Sequence, residues 1–178
     1  MKRFLIVFLS VWLVGCTSIP FSTMLKFNSM DKEDLINLQP ELVRAKTQVD
    51  EPIEFDTDKT EMAVEIETPD GLVPYSFPLK LLAEKKLPKK EGFFSDIPAK
   101  NEYLFALSEE AIENFKRFQS SLDTEEQIAV SFSIKSGFKT PPQAVDKITL
   151  SVFLKLTEEQ GFITMFDNAT IKIKREDE

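Results

Sequence analysis

The side chains of this sequence that could carry out chemistry belong to few residue types. No histidine is present, which excludes imidazole as a general base, a proton shuttle or a metal ligand. The single cysteine, Cys16, excludes disulfide bonds within the chain and thiolate metal clusters. Carboxylates, lysine amines and hydroxyls remain, and no serine lies in a G-x-S-x-G motif. We therefore expect no catalytic residues and no enzymatic activity; a carboxylate-based hydrolase is the less favoured alternative.

The densest group of carboxylates consists of Asp56, Asp58 and Glu61, which could supply oxygen ligands to calcium. The group lacks the glycine and the spaced terminal glutamate of an EF-hand loop. A solvated turn before a strand is the favoured interpretation, and we expect neither a metal nor another cofactor. Carbohydrate binding is not expected either, because the only tryptophan, Trp12, lies in the N-terminal apolar run.

Cys16 is preceded by the features of a signal peptide. Lys2 and Arg3 stand before an apolar run from Phe4 to Val14 that only Ser10 interrupts. This run is too short to cross a hydrocarbon core, which needs about 20 residues. The pattern therefore predicts a signal peptide over residues 1–15.

The four residues Leu13-Val14-Gly15-Cys16 resemble a bacterial lipobox. The resemblance implies that a prolipoprotein peptidase recognises Leu13, Val14 and Gly15 and cuts before Cys16. It implies that Cys16 then carries a diacylglycerol and a fatty acyl chain such as palmitate. Thr17 stands where an aspartate would retain a lipoprotein at the inner membrane of enteric bacteria, so the resemblance implies the periplasmic face of the outer membrane. The mature N-terminus is also similar to that of small gammaproteobacterial envelope lipoproteins with no assigned activity.

The charged residues restrict the partners. Loss of Lys2 and Arg3 leaves 20 basic against 30 acidic side chains, a net charge of −10, so nucleic acid is not an expected partner. The one basic cluster consists of Lys85, Lys86, Lys89 and Lys90, and Phe93 and Phe94 follow it. We interpret these six residues as a loop that contacts the membrane or a partner, each lysine near an anionic surface contributing about 1 kcal/mol. A merely solvated loop is the alternative.

Phenylalanine accounts for 16 residues of the chain. Because its ring has no polar group, it is most useful where water is absent. A Phe-rich core is the favoured interpretation. The alternative is a pocket for an apolar or lipid ligand near Phe93, Phe94, Phe115 and Phe118.

Hydrophobic periodicity predicts the elements that position these residues. Asp31 and Pro40 delimit a short helix, and a second helix capped by Ser108 places Ile112, Phe115, Phe118 and Leu122 on one face. Elsewhere apolar residues alternate, which is typical of half-buried strands. The alternation changes phase at Asp167-Asn168, which indicates a bulge. We expect the last three strands to form a meander, and the apolar segment 17–30 to dock on the domain or to lie against the bilayer.

The strand from Leu72 to Leu82 contains Pro74 and Pro78, which lack amide hydrogens. Residues an even number apart in a strand direct their backbone groups to the same side. Both missing donors therefore fall on one flank, and we expect this strand at a sheet edge.

The pattern as a whole predicts a mainly β protein: an antiparallel β-sandwich, immunoglobulin-like or transthyretin-like, of about seven strands with one inserted helix. An open antiparallel sheet packed on a helix, an α+β fold, is the alternative. The organisation would be a signal peptide (1–15), a lipid anchor with an apolar tether and a short helix (16–40), and a single β-rich domain (41–178). For function we expect a membrane-anchored protein that binds or scaffolds another envelope protein, and alternatively a carrier of an apolar ligand.

Replacement of the anchoring cysteine tests this interpretation. Because Cys16 is the only thiol and stands at the processing site, Cys16→Ser should release the domain in soluble form or leave an uncleaved precursor. Membrane fractionation together with the electrophoretic mobility of the product distinguishes these states from the wild type. A variant that is processed normally and still floats with outer-membrane vesicles would contradict the lipid anchor.

Overall fold

The computed structural model describes residues 21–26, 32–68, 71–92, 96–122, 129–139 and 147–172. These residues form eight strands, two α-helices and one short 3₁₀ helix. In chain order they are β1 (Phe21–Lys26), α1 (Lys32–Asn37), the 3₁₀ helix (Pro40–Leu42), β2 (Arg44–Asp50), β3 (Phe55–Thr68), β4 (Gly71–Leu87), β5 (Lys100–Leu107), α2 (Glu109–Ser121), β6 (Ala129–Phe138), β7 (Lys147–Lys155) and β8 (Ile163–Lys172).

All strand pairs are antiparallel, and the strand order is β1-β6-β3-β4-β5-β2-β7-β8. The prediction of a mainly β, antiparallel fold is confirmed. The strands join in one curled sheet rather than in two separate sheets, and the outermost strands, β1 and β8, contact each other. A single hydrophobic core fills the space between the two halves of the sheet.

Strand β4 connects the two halves. Its residues Gly71–Pro78 pair with β3, and its residues Leu79–Leu87 pair with β5. The expected edge position is therefore wrong for the strand as a whole, which is the fourth of the eight. Each half of β4 is nevertheless paired on one side only within the part of the chain that the structure describes.

The two prolines of β4 fit this one-sided pairing. The Pro78 carbonyl accepts a hydrogen bond from the Ser108 amide at 3.1 Å, so the backbone groups of Pro78 face the β5 side and not β3. Pro74 lies four residues earlier and faces the same way. The two missing amide donors thus remove no hydrogen bond from the β3–β4 ladder. The same reasoning, that these prolines must face a side without a paired strand, had led us to expect an edge.

The final strands do not form the expected meander. β7 and β8 are neighbours, but β6 lies between β1 and β3. The connection from β6 to β7 therefore crosses between the two halves of the sheet. The alternation within each strand gives its buried face and carries no information about which strand lies beside it.

The N-terminal segment contributes to the sheet. Residues Phe21–Lys26 form β1, whose register with β6 runs from Phe21↔Ser136 to Lys26↔Ser131. Docking on the domain, the first of our two expectations for the segment 17–30, is thus found for these six residues. The sheet therefore begins before residue 41, where we expected the β-rich domain to start. Asp31, the expected cap of α1, lies outside the described residues.

Helix α2 covers the first half of β4. The Ser108 hydroxyl accepts a hydrogen bond from the Ala111 amide at 3.1 Å, as predicted for a helix cap. Phe115 and Phe118 are buried, and their rings lie 4.8 and 5.9 Å from the Phe77 ring. The predicted apolar face of the helix is therefore the face that contacts the sheet.

Truncation of Phe115, in the middle of α2, tests this packing. Phe115→Ala should lower the free energy of unfolding by about 3 to 5 kcal/mol, because it leaves a cavity between α2 and β4. Urea unfolding followed by circular dichroism measures the change. Phe162→Ala is the control, since Phe162 is 39% exposed, and should cost less than about 1 kcal/mol. Equal losses in the two variants would contradict the packing described.

Candidate interaction surfaces

The loop between β4 and β5 carries the predicted basic cluster and is closed at its base. Leu87 pairs with Lys100, and farther along the loop Lys90 and Ile97 exchange two backbone hydrogen bonds of 3.0 and 2.9 Å. The Lys89 amine lies 2.6 Å from an Asp96 carboxylate oxygen. These contacts hold the two sides of the loop together as an extension of the β4–β5 hairpin.

All four lysines of the cluster are exposed. Lys85 and Lys86 belong to the end of β4, and Lys89 and Lys90 to the loop. Residues 85–90 contain no acidic side chain, although Glu84 and Glu91 flank them. Ile97 adds an apolar side chain that is 50% exposed. Phe93 and Phe94 lie outside the described residues.

The start of β1 lies at the same end of the sheet. Phe21 pairs with Ser136, and the next residue of β6, Gly137, pairs with Asp56 near the start of β3. The turn 51–54 joins this end of β3 to the end of β2, where Asp50 pairs with Lys100. We call this side of the molecule, with the start of β1, the turn 51–54 and the loop 88–99, the loop end.

A buried lysine stabilises the loop end. The Lys100 side chain is 9% exposed, and its amine donates a hydrogen bond of 2.6 Å to the Asn168 side-chain oxygen. An Asp50 carboxylate oxygen lies 3.7 Å away, too far for a hydrogen bond. Asn168 has a φ of 50° at the bulge in β8, and its amide donates to the Ser151 hydroxyl at 2.9 Å. The predicted bulge thus brings a polar side chain to Lys100.

Burial of the Asp50 carboxylate raises its pKa above the ordinary value, because removal from water disfavours the charged form. The Lys100 amine opposes this shift and does not cancel it. Because the Lys100 amine joins β5 to the bulge in β8 through Asn168 and lies beside Asp50, we assign Lys100 and Asp50 a structural role.

A cavity of about 360 Å³ lies at the opposite side of the molecule. It is open on one side and is lined by α1, the residues that join α1 to the 3₁₀ helix, and the turn between β7 and β8. Apolar side chains from both segments form part of its wall: Leu38, Leu42, Leu156 and Ile163. Three carboxylates, from Asp34, Glu158 and Glu159, and the amides of Gln39 and Gln160 form much of the remainder. We call this side, with α1, the 3₁₀ helix, the start of α2 and the turn 156–162, the helix end.

Phe115 and Phe118 belong to the core, which was the favoured interpretation. Their rings pack against each other at 5.5 Å between centroids, and Phe118 also contacts Tyr75. Phe93 and Phe94, the other two residues of the alternative ligand pocket, lie outside the described residues, so that alternative stays a prediction.

The carboxylate group at the start of β3 remains near the surface. Asp56 pairs with Lys59 at 2.8 Å, and Asp58 is exposed. Within the described ranges, no three acidic or cysteine side chains are close enough together to hold a metal ion. The residues 57–60 form a bulge between the two registers of β3 with β6, and the Thr60 hydroxyl lies 2.8 Å from that of Ser136.

Two features of these surfaces were missed by sequence reasoning. Lys100 is a lysine in an alternating strand, and nothing in the local pattern indicates that it is buried by Asn168, which is 68 residues away. The cavity is formed by segments separated by more than 110 residues. Its only sequence signal is that apolar residues continue past two element ends: Leu38 follows helix α1, and Leu156 extends the alternation of strand β7.

Comparisons with protein-family models, with curated proteins and with solved structures gave no match for this chain. In the part of the chain that the structure describes, no helix is long and apolar enough to span a membrane.

The pKa of Asp50 gives a prediction about pH. Between the ordinary value of 3.8 and the raised value, the folded state binds more protons than the unfolded state, so ionisation of Asp50 destabilises the fold as the pH rises. Asp50→Asn removes this effect. The free energy of unfolding of the variant, relative to the wild type, should therefore increase between about pH 4 and about pH 7.

Urea unfolding at several pH values measures this difference. Asp58→Asn, which removes an exposed carboxylate, is the control. A relative stability of Asp50→Asn that falls as the pH rises would show that attraction to Lys100 outweighs the burial of the carboxylate.

Proposed function

We propose that the protein is a lipoprotein of the outer membrane, anchored through acylated Cys16, that faces the periplasm and binds another envelope protein without catalysing a reaction. The lipobox residues Leu13, Val14, Gly15 and Cys16, with Thr17 after them, support the anchor and the destination. The early start of the sheet at Phe21 also supports it, because only four residues separate the acylated cysteine from a folded strand.

The cavity at the helix end is the observation that carries the partner-binding role. Its wall combines leucine and isoleucine side chains with three carboxylates and several amides, which is complementary to an apolar side chain flanked by basic residues of a partner. The cavity lies at the ends of β2, β5 and β7 that are far from the turn 51–54. The start of β1 lies on the side of that turn. An anchor at the loop end therefore leaves the cavity accessible from the periplasm.

The arrangement of carboxylates favours a binding protein over a hydrolase. General acid catalysis near neutral pH uses a carboxyl group whose pKa is raised, and the described group of this kind, Asp50, lies far from the cavity along the strands. Of the cavity carboxylates, Glu158 is largely exposed and pairs with Lys155 at 2.9 Å. Ser136 and Lys139 have the S-x-x-K spacing of some acyl-transfer enzymes. However, the Ser136 hydroxyl lies 2.8 Å from that of Thr60, and the Lys139 amine, one residue beyond β6, pairs with Glu54 at 3.3 Å.

Site-specific photo-crosslinking in living cells tests the partner-binding role. A photoreactive phenylalanine at Gln39 or at Gln160, both at the cavity, should give a covalent adduct with the same envelope protein, identified by mass spectrometry. The same probe at Glu67, an exposed residue of β3, is the matched control. Asn37→Trp, which places a bulky ring at the cavity wall, should reduce the adduct yield at least about tenfold.

The crosslinking experiment can also contradict binding at the cavity. Adducts that are equally abundant at Glu67, or that survive Asn37→Trp unchanged, would contradict binding at the cavity. A probe at Lys86 reports separately on the loop end. A protein adduct formed there and absent from the cavity positions would move the partner-binding surface to the basic cluster.

A further inference from the structure

The exposed charges of the molecule are distributed unequally between its two ends. At the loop end, the four exposed lysines of residues 85–90 form a cluster with no acidic side chain inside it, although Glu51, Glu91 and Asp96 are exposed around it and Asp96 pairs with Lys89. The helix end presents mostly carboxylates, all of them exposed: Glu33 and Asp34 of α1, Glu109, Glu110 and Glu113 of α2, and Glu158 and Glu159 of the turn. A molecule with this asymmetry has a preferred orientation next to a charged surface.

The chain connectivity brings the lysine cluster of residues 85–90 to the membrane. Four residues lie between Cys16 and Phe21, so the two Cα atoms are at most about 18 Å apart when this stretch is fully extended. Since Phe21 lies at the loop end, the acylated cysteine keeps that end, and not the helix end, near the lipid headgroups. The lysines of the β4–β5 loop are thus held at the surface at high local concentration.

We infer that the loop end docks on anionic phospholipid headgroups of the leaflet that holds the lipid anchor, through Lys85, Lys86, Lys89 and Lys90 with Ile97 beside them. This inference rests on the lipid anchor of the proposed function. The orientation directs the cavity away from the bilayer and toward the periplasm.

The acyl chains and the lysines have different roles at the membrane. The acyl chains supply the affinity for the bilayer, so the lysines need only select one orientation of a molecule that is already bound. The acidic helix end is repelled by an anionic surface, which strengthens this selection. An acidic protein partner could also attract the lysines, but the position of β1 places phospholipid and not protein next to them.

Depth-sensitive fluorescence quenching on vesicles tests the orientation. The acylated protein carries no free thiol, so a single introduced cysteine can be labelled, either as Ile97→Cys at the loop end or as Leu72→Cys, 63% exposed, at the start of β4. Each labelled protein is reconstituted into vesicles of phosphatidylethanolamine and phosphatidylglycerol that contain a headgroup quencher. The label at residue 97 should be quenched at least about twofold more than the label at residue 72.

A matched pair of double variants examines the lysines. Lys85→Ser with Lys86→Ser should reduce quenching at residue 97, as should replacement of phosphatidylglycerol by phosphatidylcholine. Lys116→Ser with Arg117→Ser removes two adjacent exposed cations from α2 and should leave the quenching unchanged. Circular dichroism confirms that each variant is folded.

The outcomes separate docking from anchoring. Vesicle flotation reports on the anchor alone, and loss of flotation would overturn both proposals. Normal flotation with equal quenching at residues 72 and 97, or with quenching that does not depend on Lys85, Lys86 or the anionic lipid, would overturn docking and leave the anchor intact. A protein adduct at Lys86 in cells, together with equal quenching on vesicles, would assign the lysines to a protein partner.

Discussion

The long strand β4 is the constraint on which the rest of the fold depends. Its 17 residues are shared between two ladders, with β3 on one side of its first half and β5 on the other side of its second half. This change of partner is what lets the sheet curl, because the strands on the two sides of β4 follow different directions around the same core. Pro74 and Pro78 are compatible with the arrangement only because their backbone groups face away from β3.

The faces of the strands could be predicted from the sequence, and their neighbours could not. In β2, β5 and β7 every second residue is buried, as the alternation of apolar residues predicts, because burial of a strand face depends on local spacing. The cap at Ser108 and the bulge at Asn168 are local features as well. The place of β6 between β1 and β3 depends on pairing between distant segments, for which a single sequence carries no signal.

In the candidate surfaces, too, local features could be predicted from the sequence, and contacts between distant segments could not. The basic cluster at residues 85–90 could be recognised because its lysines are adjacent in sequence. Its relation to the anchor depends on the register of Phe21 with Ser136, and the cavity depends on the meeting of residues near 38 with residues near 157. Sequence patterns thus indicated which residues are available for contact, and the topology indicates which side of the molecule each one occupies.

The register of β1 also has a mechanical consequence for an anchored protein. The chain leaves β1 at Phe21 toward the loop end, so a pull on Cys16 away from the domain acts along the strand axis. The hydrogen bonds that join β1 to β6 are perpendicular to that axis, and such a force loads all six residue pairs together in shear instead of opening them one after another. In a protein anchored as we propose, the short ladder would therefore resist tension between the bilayer and a bound partner without opening pair by pair.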